Sequence, residues 1–261
     1  MEIERNGCRI FAGTGGRAFD AALPNVVLLH GAGLDHTIWA LQARALAHHG
    51  RNVLALDLPG HGGSDGPPCA SIAEMADWVL AAAAACGVSH FRLAGLSMGA
   101  LVAYATAARG GERVEALMLL GFAPVMPVHP ALLAAARDGA PLAPALMVSW
   151  GLGAAAQLGA NPAPGLWLTD SALRLLERAP PASLAADLAA CNDYRAEAEA
   201  TPPRCPTLLL VGTIDRMTPP AAAIAFAERL PASRVTTLPG IGHLSTIEAP
   251  QATLAAMNTI L

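Results

Sequence analysis

The feature that most constrains the fold of this chain is a series of short, continuous apolar runs that each end in glycine, proline or a polar residue. Runs of this kind suit strands that are buried on both faces, as in a parallel sheet. They are NVVLLHG from Asn25, NVLALDLPG from Asn52, FRLAGLS from Phe91, VEALMLLGF from Val114 and PTLLLVGT from Pro206. The sequence therefore predicts a sheet whose strands are mostly parallel.

Helical patterns follow these runs. The chain has helical periodicity over residues 38–49, 71–86, 98–109 and 219–229, then a last strand over 235–238 and a closing helix over 246–260. Alternation of this kind is typical of right-handed βα units. With 261 residues, of which 54% are hydrophobic, the chain is long enough for one large α/β domain. We predict a central sheet flanked by helices.

The alternation stops between residues 123 and 203, where prolines are frequent and helical patterns are short. An insertion between two core strands, at the carboxyl edge where ligands bind in such sheets, would form a lid. We therefore predict a helical cap over residues 123–203, inserted after the sixth strand. The α/β core would comprise residues 1–122 and 204–261.

Composition excludes several classes of partner. The formal net charge of −4 leaves no basic surface for nucleic acid. Five scattered cysteines without CxxC or Cys/His spacing predict neither a disulfide framework nor a metal site. The apolar stretch WVLAAAAACGV is too short to cross a bilayer, and the first residues lack a signal-peptide pattern. We expect a cytoplasmic protein that does not insert into membranes.

One motif suggests nucleotide binding, but its context argues against that interpretation. GTGGRA, residues 13–18, matches the Gly-x-Gly-x-x-Gly/Ala fingerprint, which requires a helix directly after it to present its amino terminus to pyrophosphate. Here Pro24 and the strand NVVLLH follow too soon. The motif is better explained as a hairpin or loop, and no P-loop pattern occurs. We predict no nucleotide cofactor.

The stretch RLAGLSMGALVAYA contains the first candidate catalytic residue. Ser97 lies between Gly95 and Gly99 where an apolar strand meets a helical pattern, which fits the G-x-S-x-G nucleophile elbow. Glycines at both positions would relieve the crowding of a sharp strand-to-helix turn. A serine at such a junction can also be a helix N-cap that does no chemistry. The rest of the chain has to decide between these interpretations.

A serine nucleophile requires a base, and His243 is the best placed of eight histidines. It lies in LPGIGHLSTIEAP, on a loop flanked by glycine between the last strand and the last helix. His30 and His61 are better explained as structural hydrogen-bonding residues. Asp215, just past the strand PTLLLVGT, could orient the imidazole, although a helix-entry aspartate is the alternative. The order Ser97, Asp215, His243 is that of α/β-hydrolases.

On these residues the chain resembles the α/β-hydrolase superfamily. His30-Gly31-Ala32-Gly33 is similar to its HGxG oxyanion segment, DLPGHGGSD to its D-x-x-G-x-G-x-S loop, and GIGHLSTIEAP to its G-H-x-x-x-x-E-x-P ending. The resemblance implies an oxyanion hole formed by the backbone N–H groups of Ala32 and Met98. It also implies cleavage of a carboxylic ester or lactone by water through an acyl-enzyme, without a metal or organic cofactor.

Several substrates remain open within this superfamily. Ser97 stands where haloalkane dehalogenases and epoxide hydrolases have an aspartate, so those reactions are not expected. Esterases, enol-lactonases, carbon–carbon bond hydrolases and cofactor-free perhydrolases share a serine triad, and the fold does not choose among them. A ligand-binding sensor with slow hydrolysis is an alternative from another class. Composition and motifs leave the oligomeric state undetermined.

Residues of the predicted cap could contact the substrate. Met126, Met147, Trp150 and Trp167 are candidates for an apolar acyl pocket, although such residues also pack ordinary helices. Arg195 could pair with an acidic substrate, or it could be a solvated surface residue. The sequence therefore predicts a small, largely apolar ester or lactone as substrate.

Overall fold

The computed structural model describes residues 1–20, 22–160 and 167–261. Its strands are β1 (Glu2–Arg5), β2 (Cys8–Gly13), β3 (Asn25–Leu29), β4 (Asn52–Leu56), β5 (Phe91–Leu96), β6 (Val114–Leu120), β7 (Thr207–Gly212) and β8 (Ser233–Leu238). They form one sheet in the order β1-β2-β4-β3-β5-β6-β7-β8. The pairs β1/β2 and β2/β4 are antiparallel, and every other neighbouring pair is parallel. The prediction of a mostly parallel sheet is confirmed.

The central strands are buried along almost their whole length. All residues of β4 and β7 are buried, and β5 and β6 each have one residue that is not. This burial explains why the apolar runs are continuous rather than alternating. The hairpin formed by β1 and β2 was not predicted. β1 is a short edge strand with no buried residue, and β2 has only two buried residues, so neither is a continuous apolar run.

Helices cover this sheet. They are α1 (Ala40–His48), α2 (Ile72–Ala85), α3 (Met98–Gly110), α4 (Pro130–Arg137), α5 (Leu142–Gly151), α6 (Ala154–Gln157), α7 (Leu168–Glu177), α8 (Pro181–Asp193), α9 (Pro220–Ala227), α10 (Ser245–Glu248) and α11 (Pro250–Met257). The single closing helix predicted over 246–260 is divided into α10 and α11 because Ala249 has non-helical backbone, with a φ of −138° and a ψ of 59°, and Pro250 starts a new helix. None of the described helices is long and apolar enough to cross a membrane.

In the described part of the chain between β6 and β7 lie five helices, α4 to α8, where the sequence predicted the cap. The two ends of this segment are adjacent, since the Ala196 N–H donates to the Pro124 carbonyl at 2.9 Å and Val125 forms a β-bridge with Arg195. Residues 161–166 of the predicted cap lie outside the described residues. That residues 123–203 act as a separate cap stays a prediction.

The GTGGRA motif begins at the end of β2 and continues as a loop. After it, the next helical residues begin only at His36, beyond β3. Among the residues described here, no helix directly follows these glycines, which supports the loop interpretation.

Candidate active site

Ser97 lies at the junction between β5 and α3, as the elbow motif predicts. Its backbone has a φ of +57° and a ψ of −121°, and its side chain makes no hydrogen bond that caps α3. A positive φ in a residue other than glycine costs free energy and is common at functional sites. The Ser97 N–H donates to the Leu120 carbonyl at 2.9 Å, which attaches the turn to β6. Ser97 thus has the N-cap position without the capping contact.

The flanking glycines are required by close backbone contacts. A Cβ atom at Gly95 would lie 1.9 Å from the Gly99 carbonyl oxygen, and one at Gly99 would lie 2.4 Å from the carbonyl oxygens of Leu29 and His30. Neither distance can be accommodated without moving the backbone. The elbow therefore packs directly against the end of β3, where the HGAG segment begins.

His243 and Asp215 form a buried pair. His243 Nδ1 lies 2.8 Å from Asp215 Oδ2, and both side chains are 2% exposed. A carboxylate oxygen can only accept, so Nδ1 carries the proton and Nε2 is the free acceptor of the neutral ring. The loops after β7 and β8 bring these two residues together at the carboxyl edge of the sheet.

Further donors hold the Asp215 carboxylate. Oδ1 accepts from the N–H groups of Met217 and Thr218 at 2.8 and 2.9 Å, and Oδ2 accepts from Thr218 Oγ1 at 2.6 Å. Burial raises the pKa of Asp215, but the charge of His243 and the hydrogen bonds outweigh it, so the pKa lies below its ordinary value. Asp215 is therefore ionised and fixed in orientation at neutral pH.

Asp215 in turn raises the pKa of the His243 imidazole. Burial lowers the pKa of His243, but the negative charge and hydrogen bond of Asp215 outweigh burial, and the pKa lies above its ordinary value of 6.5. Gly121, directly after β6, packs against the ring: a Cβ atom there would lie 2.8 Å from His243 Cε1 and Nδ1. The ring is thus confined between Asp215 and the backbone of Gly121.

Ser97 and His243 line the same cavity, which has a volume of about 290 Å³. His243 Nε2 is buried and has no hydrogen-bond partner among the described residues. Buried polar atoms usually have a partner, so an unpaired nitrogen on a cavity wall is a candidate contact for a substrate or nucleophile. Ser97, the candidate nucleophile predicted from the sequence, lines the cavity that this nitrogen faces.

Three of the four residues predicted to contact substrate lie in this cavity. Met126, Met147 and Trp150 line it, together with Leu132 and Leu188 of the helices between β6 and β7. Trp167 does not line it: this residue precedes α7 and is 62% exposed. The structure thus places Trp167 on the surface, because α7 buries Leu168, Ala172 and Leu176 instead.

Ala32 and Met98, the predicted oxyanion donors, are both buried. Ala32 lines the cavity, and Met98 follows Ser97 as the first residue of α3. Among the described residues neither of their N–H groups has an acceptor, whereas the next donor along the loop, the Gly33 N–H, binds Asp187 Oδ2 at 2.9 Å. Two unpaired N–H groups therefore remain near Ser97.

Sequence reasoning missed Asp187. This residue of α8 is completely buried, and its Oδ2 lies 2.9 Å from His61 Nε2 as well as from the Gly33 nitrogen. Burial lowers the pKa of His61, but the hydrogen bond and charge of Asp187 raise it above its ordinary value. The expectation that His61 is structural agrees with this contact. Its partner is 126 positions away in the chain, so no local pattern indicated it.

Glu248 is a second buried carboxylate that supports the site. Its Oε2 accepts from the N–H groups of Gly153 and Gly242, and its Oε1 accepts from the Leu244 N–H. Glu248 therefore fixes the loop on both sides of His243 and attaches it to Gly153, the second residue after α5. The glutamate of the GIGHLSTIEAP motif was the available sequence signal.

One group of possible metal ligands lies outside this cavity. Asp35, His36 and Asp57 bring ligand atoms within 4.8 Å of one another. Both carboxylates already accept hydrogen bonds, Asp35 from Thr37 and Asp57 from His36 and Gly63, and Arg178 lies 3.2 Å from Asp35. The group is explained as loop bracing.

The strand order, with a serine after β5, an aspartate after β7 and a histidine after β8, defines an α/β-hydrolase. The chain belongs to the alpha/beta hydrolase family, whose model matches residues 26–256. The resemblance noted from the motifs is confirmed.

Two relatives are pimeloyl-(acyl-carrier protein) methyl ester esterases. The protein of Aromatoleum aromaticum is 30% identical over 255 residues, which cover 87% of this chain and 94% of the relative. That of Aeromonas hydrophila is 30% identical over 243 residues, which cover 87% and 91%. Both relatives are named as ester hydrolases.

Solved structures agree with this assignment. A thermophilic esterase from Thermogutta terrifontis superposes with a TM-score of 0.84 at 26% identity, over 99% of this chain and 96% of that one. The enol-lactonase from Burkholderia xenovorans LB400 superposes with a TM-score of 0.87 at 25% identity, over 99% and 98%. The chain is therefore similar to esterases and to an enol-lactonase along its whole described length.

Proposed function

We propose that this protein is a serine hydrolase that cleaves a small carboxylic ester through an acyl-enzyme. The observation that carries the proposal is the buried His243–Asp215 pair, whose free Nε2 lies in the cavity that Ser97 lines. The esterase relatives support the same reaction class. Ser97, His243 and Asp215 would be nucleophile, base and orienting acid.

The reaction would proceed in two halves. His243 Nε2 removes the Ser97 hydroxyl proton as Oγ attacks the acyl carbon, and the same nitrogen then protonates the departing alcohol oxygen. Water, deprotonated by Nε2, next attacks the acyl-enzyme, and Ser97 Oγ leaves with the returned proton. Asp215 holds the Nδ1 tautomer and stabilises the imidazolium that forms in each half.

The N–H groups of Ala32 and Met98 would receive the negative charge that develops on the carbonyl oxygen. Each such donor typically lowers the barrier by about 3 kcal/mol. The absence of an acceptor for either group among the described residues supports this role. No metal or organic cofactor takes part in the proposed steps.

The cavity supports a small substrate with an apolar acyl group. Its volume of about 290 Å³ is at the lower end of ordinary ligand pockets, and Met126, Met147 and Trp150 contribute apolar walls. A lactone is a second candidate substrate, favoured by the high TM-score with the enol-lactonase. Both substrates would use the same triad and oxyanion donors.

The test is hydrolysis of p-nitrophenyl butyrate by purified wild-type and Ser97→Ala proteins, with fluorophosphonate labelling. We expect wild-type turnover with labelling at Ser97, and a loss of about 10⁴- to 10⁶-fold in kcat for Ser97→Ala. Ser89→Ala, at an exposed serine, is the control that should retain activity. Near-normal turnover by Ser97→Ala would refute the mechanism. A single slow stoichiometric turnover by the wild type would instead favour a sensor.

A further inference from the structure

Arg216 gives the cavity a cationic group that the proposed mechanism does not use. It follows Asp215 in the loop between β7 and α9 and lines the same cavity as Ser97 and His243. The backbone of this loop is fixed, because Asp215 Oδ1 accepts the N–H groups of both residues after Arg216. The guanidinium therefore extends from a rigid anchor beside the candidate catalytic pair.

Arg216 differs in its partners from six arginines that form ion pairs. Arg9, Arg92, Arg109, Arg174, Arg178 and Arg229 each lie within 4.0 Å of a carboxylate. Within the described ranges, Arg216 has neither an ion pair nor a hydrogen bond from its side chain. Arg195, the sequence-based candidate for an acidic substrate, instead donates to the carbonyls of Asn192 and Tyr194 at 2.7 Å.

The surroundings of the cavity leave the charge of Arg216 uncompensated. The described lining residues include no aspartate or glutamate. Asp215, the residue before Arg216 in the chain, already accepts hydrogen bonds from Met217, Thr218 and His243. Apolar side chains form most of the remaining wall, whereas Arg216 is itself exposed, so water partly screens its charge.

We propose that the preferred substrate is an ester that carries a carboxylate on its acyl chain, and that Arg216 binds this carboxylate. The inference rests on the proposed ester hydrolysis and adds the substrate class to it. A planar guanidinium matches a carboxylate with two parallel hydrogen bonds. The apolar wall then accommodates the methylene groups between the carboxylate and the reacting carbonyl.

The test compares monomethyl esters of dicarboxylic acids of four to seven carbons with the methyl esters of monocarboxylic acids of equal length. At pH 8, where the free carboxyl groups are ionised, we expect the wild type to have a higher kcat/KM for the anionic member of at least one pair. Arg216→Gln should lower the anionic-to-neutral ratio about three- to tenfold, and Arg216→Glu should lower it further. Added salt should reduce the wild-type ratio.

Arg195→Gln is the matched control, since Arg195 is also exposed but donates to backbone carbonyls outside this cavity. Its anionic-to-neutral ratio should equal that of the wild type. A wild-type preference for the neutral esters, or a ratio that Arg216→Gln leaves unchanged, would overturn the inference while ester hydrolysis stands.

Equilibrium binding to the Ser97→Ala protein separates the two proposals. If the wild type hydrolyses no ester and is not labelled at Ser97, the proposed function fails. Calorimetric titration of Ser97→Ala with the same ester pairs still tests Arg216, because binding does not need turnover. The anionic ester should bind more tightly than its neutral counterpart, and Arg216→Gln should remove the difference. Equal binding of both esters would contradict the inference.

Discussion

At the residue scale, Ser97 shows what a five-residue motif can and cannot predict. The pattern predicted a strained turn, and the backbone has a φ of +57° there. The motif could not exclude a helix cap, which depends on where the hydroxyl points. The absence of a capping hydrogen bond leaves the hydroxyl free for the chemistry proposed above.

The pH dependence of hydrolysis should reflect the His243–Asp215 pair. A base must be unprotonated, and Asp215 raises the pKa of His243 above 6.5. We therefore expect kcat/KM to rise with pH through a midpoint above 6.5. Asp215→Asn removes the negative charge that raises the pKa of His243, so that the lowering effect of burial remains. The midpoint should therefore move to lower pH, while kcat falls about 10³- to 10⁴-fold. Measuring kcat/KM from pH 5 to 9 for both proteins checks this.

Imidazole titration provides an independent measurement. NMR of isotope-labelled histidine should detect the lower pKa of His243 in Asp215→Asn even where turnover is slow. Asp193→Asn, on the exposed end of α8, should leave the titration unchanged. A midpoint that stays the same in Asp215→Asn would show that the carboxylate does not control the base.

At the element scale, the buried carboxylate of Asp187 connects α8 to two loops of the α/β core. Asp187 Oδ2 contacts the Gly33 N–H next to the proposed oxyanion donor Ala32, and it also contacts His61 in the loop after β4. Ser183 of the same helix donates to the Gly60 carbonyl at 2.7 Å. One helix between β6 and β7 thus orients two loops of the α/β core.

Replacing Asp187 by asparagine should destabilise the fold. Asparagine keeps an acceptor for one N–H group but loses the charge, which should cost about 1–3 kcal/mol in the free energy of unfolding. Because Asp187 raises the pKa of His61, the stability from this pair is complete below pH 6.5 and is lost as pH rises through the raised pKa. The deficit of Asp187→Asn should therefore be larger at pH 6 than at pH 9.

Urea unfolding at the two pH values measures this difference. Asp193→Asn on the same helix is the control, because its side chain is exposed and its effect should stay within about 0.5 kcal/mol. An Asp187→Asn protein as stable as the wild type at pH 6 would mean that the buried pair contributes nothing.

The same elements show which parts of the fold were predictable. Strands β3 to β7 and helices α1, α2, α3 and α9 were predicted because burial on both faces, or periodic burial, leaves a local pattern. Of β8, an edge strand in which only Leu238 is buried, the sequence predicted residues 235–238. The hairpin β1/β2 was missed because no residue of β1 and only two residues of β2 are buried, so neither strand is a continuous apolar run. The contact between Asp187 and His61 was missed because it depends on tertiary packing. Gly121 was missed because its role appears only once His243 lies against it.

At the scale of the whole molecule, the strand order brings distant segments to one edge. Strand β3 lies between β4 and β5, and the chain then adds β6, β7 and β8 outward on the same side. The loops after β3, β5, β7 and β8 supply Ala32, Ser97, Asp215 and His243 respectively. Ligands bind at this edge in open α/β sheets, which is why the elbow motif, the loop positions of Asp215 and His243 and the chain order together predicted the candidate triad.

The helices between β6 and β7 complete the cavity, so they should set which acyl chains fit. Trp150 of α5 lines the cavity and packs edge-to-face against His129, with 5.5 Å between the ring centroids. Trp150→Ala removes a large wall, and its optimum in p-nitrophenyl acetate to dodecanoate hydrolysis should move to longer chains than the wild-type optimum. Trp167→Ala changes the same residue type on the exposed surface and should keep the wild-type profile. Identical profiles for all three proteins would mean that these helices do not limit the acyl chain.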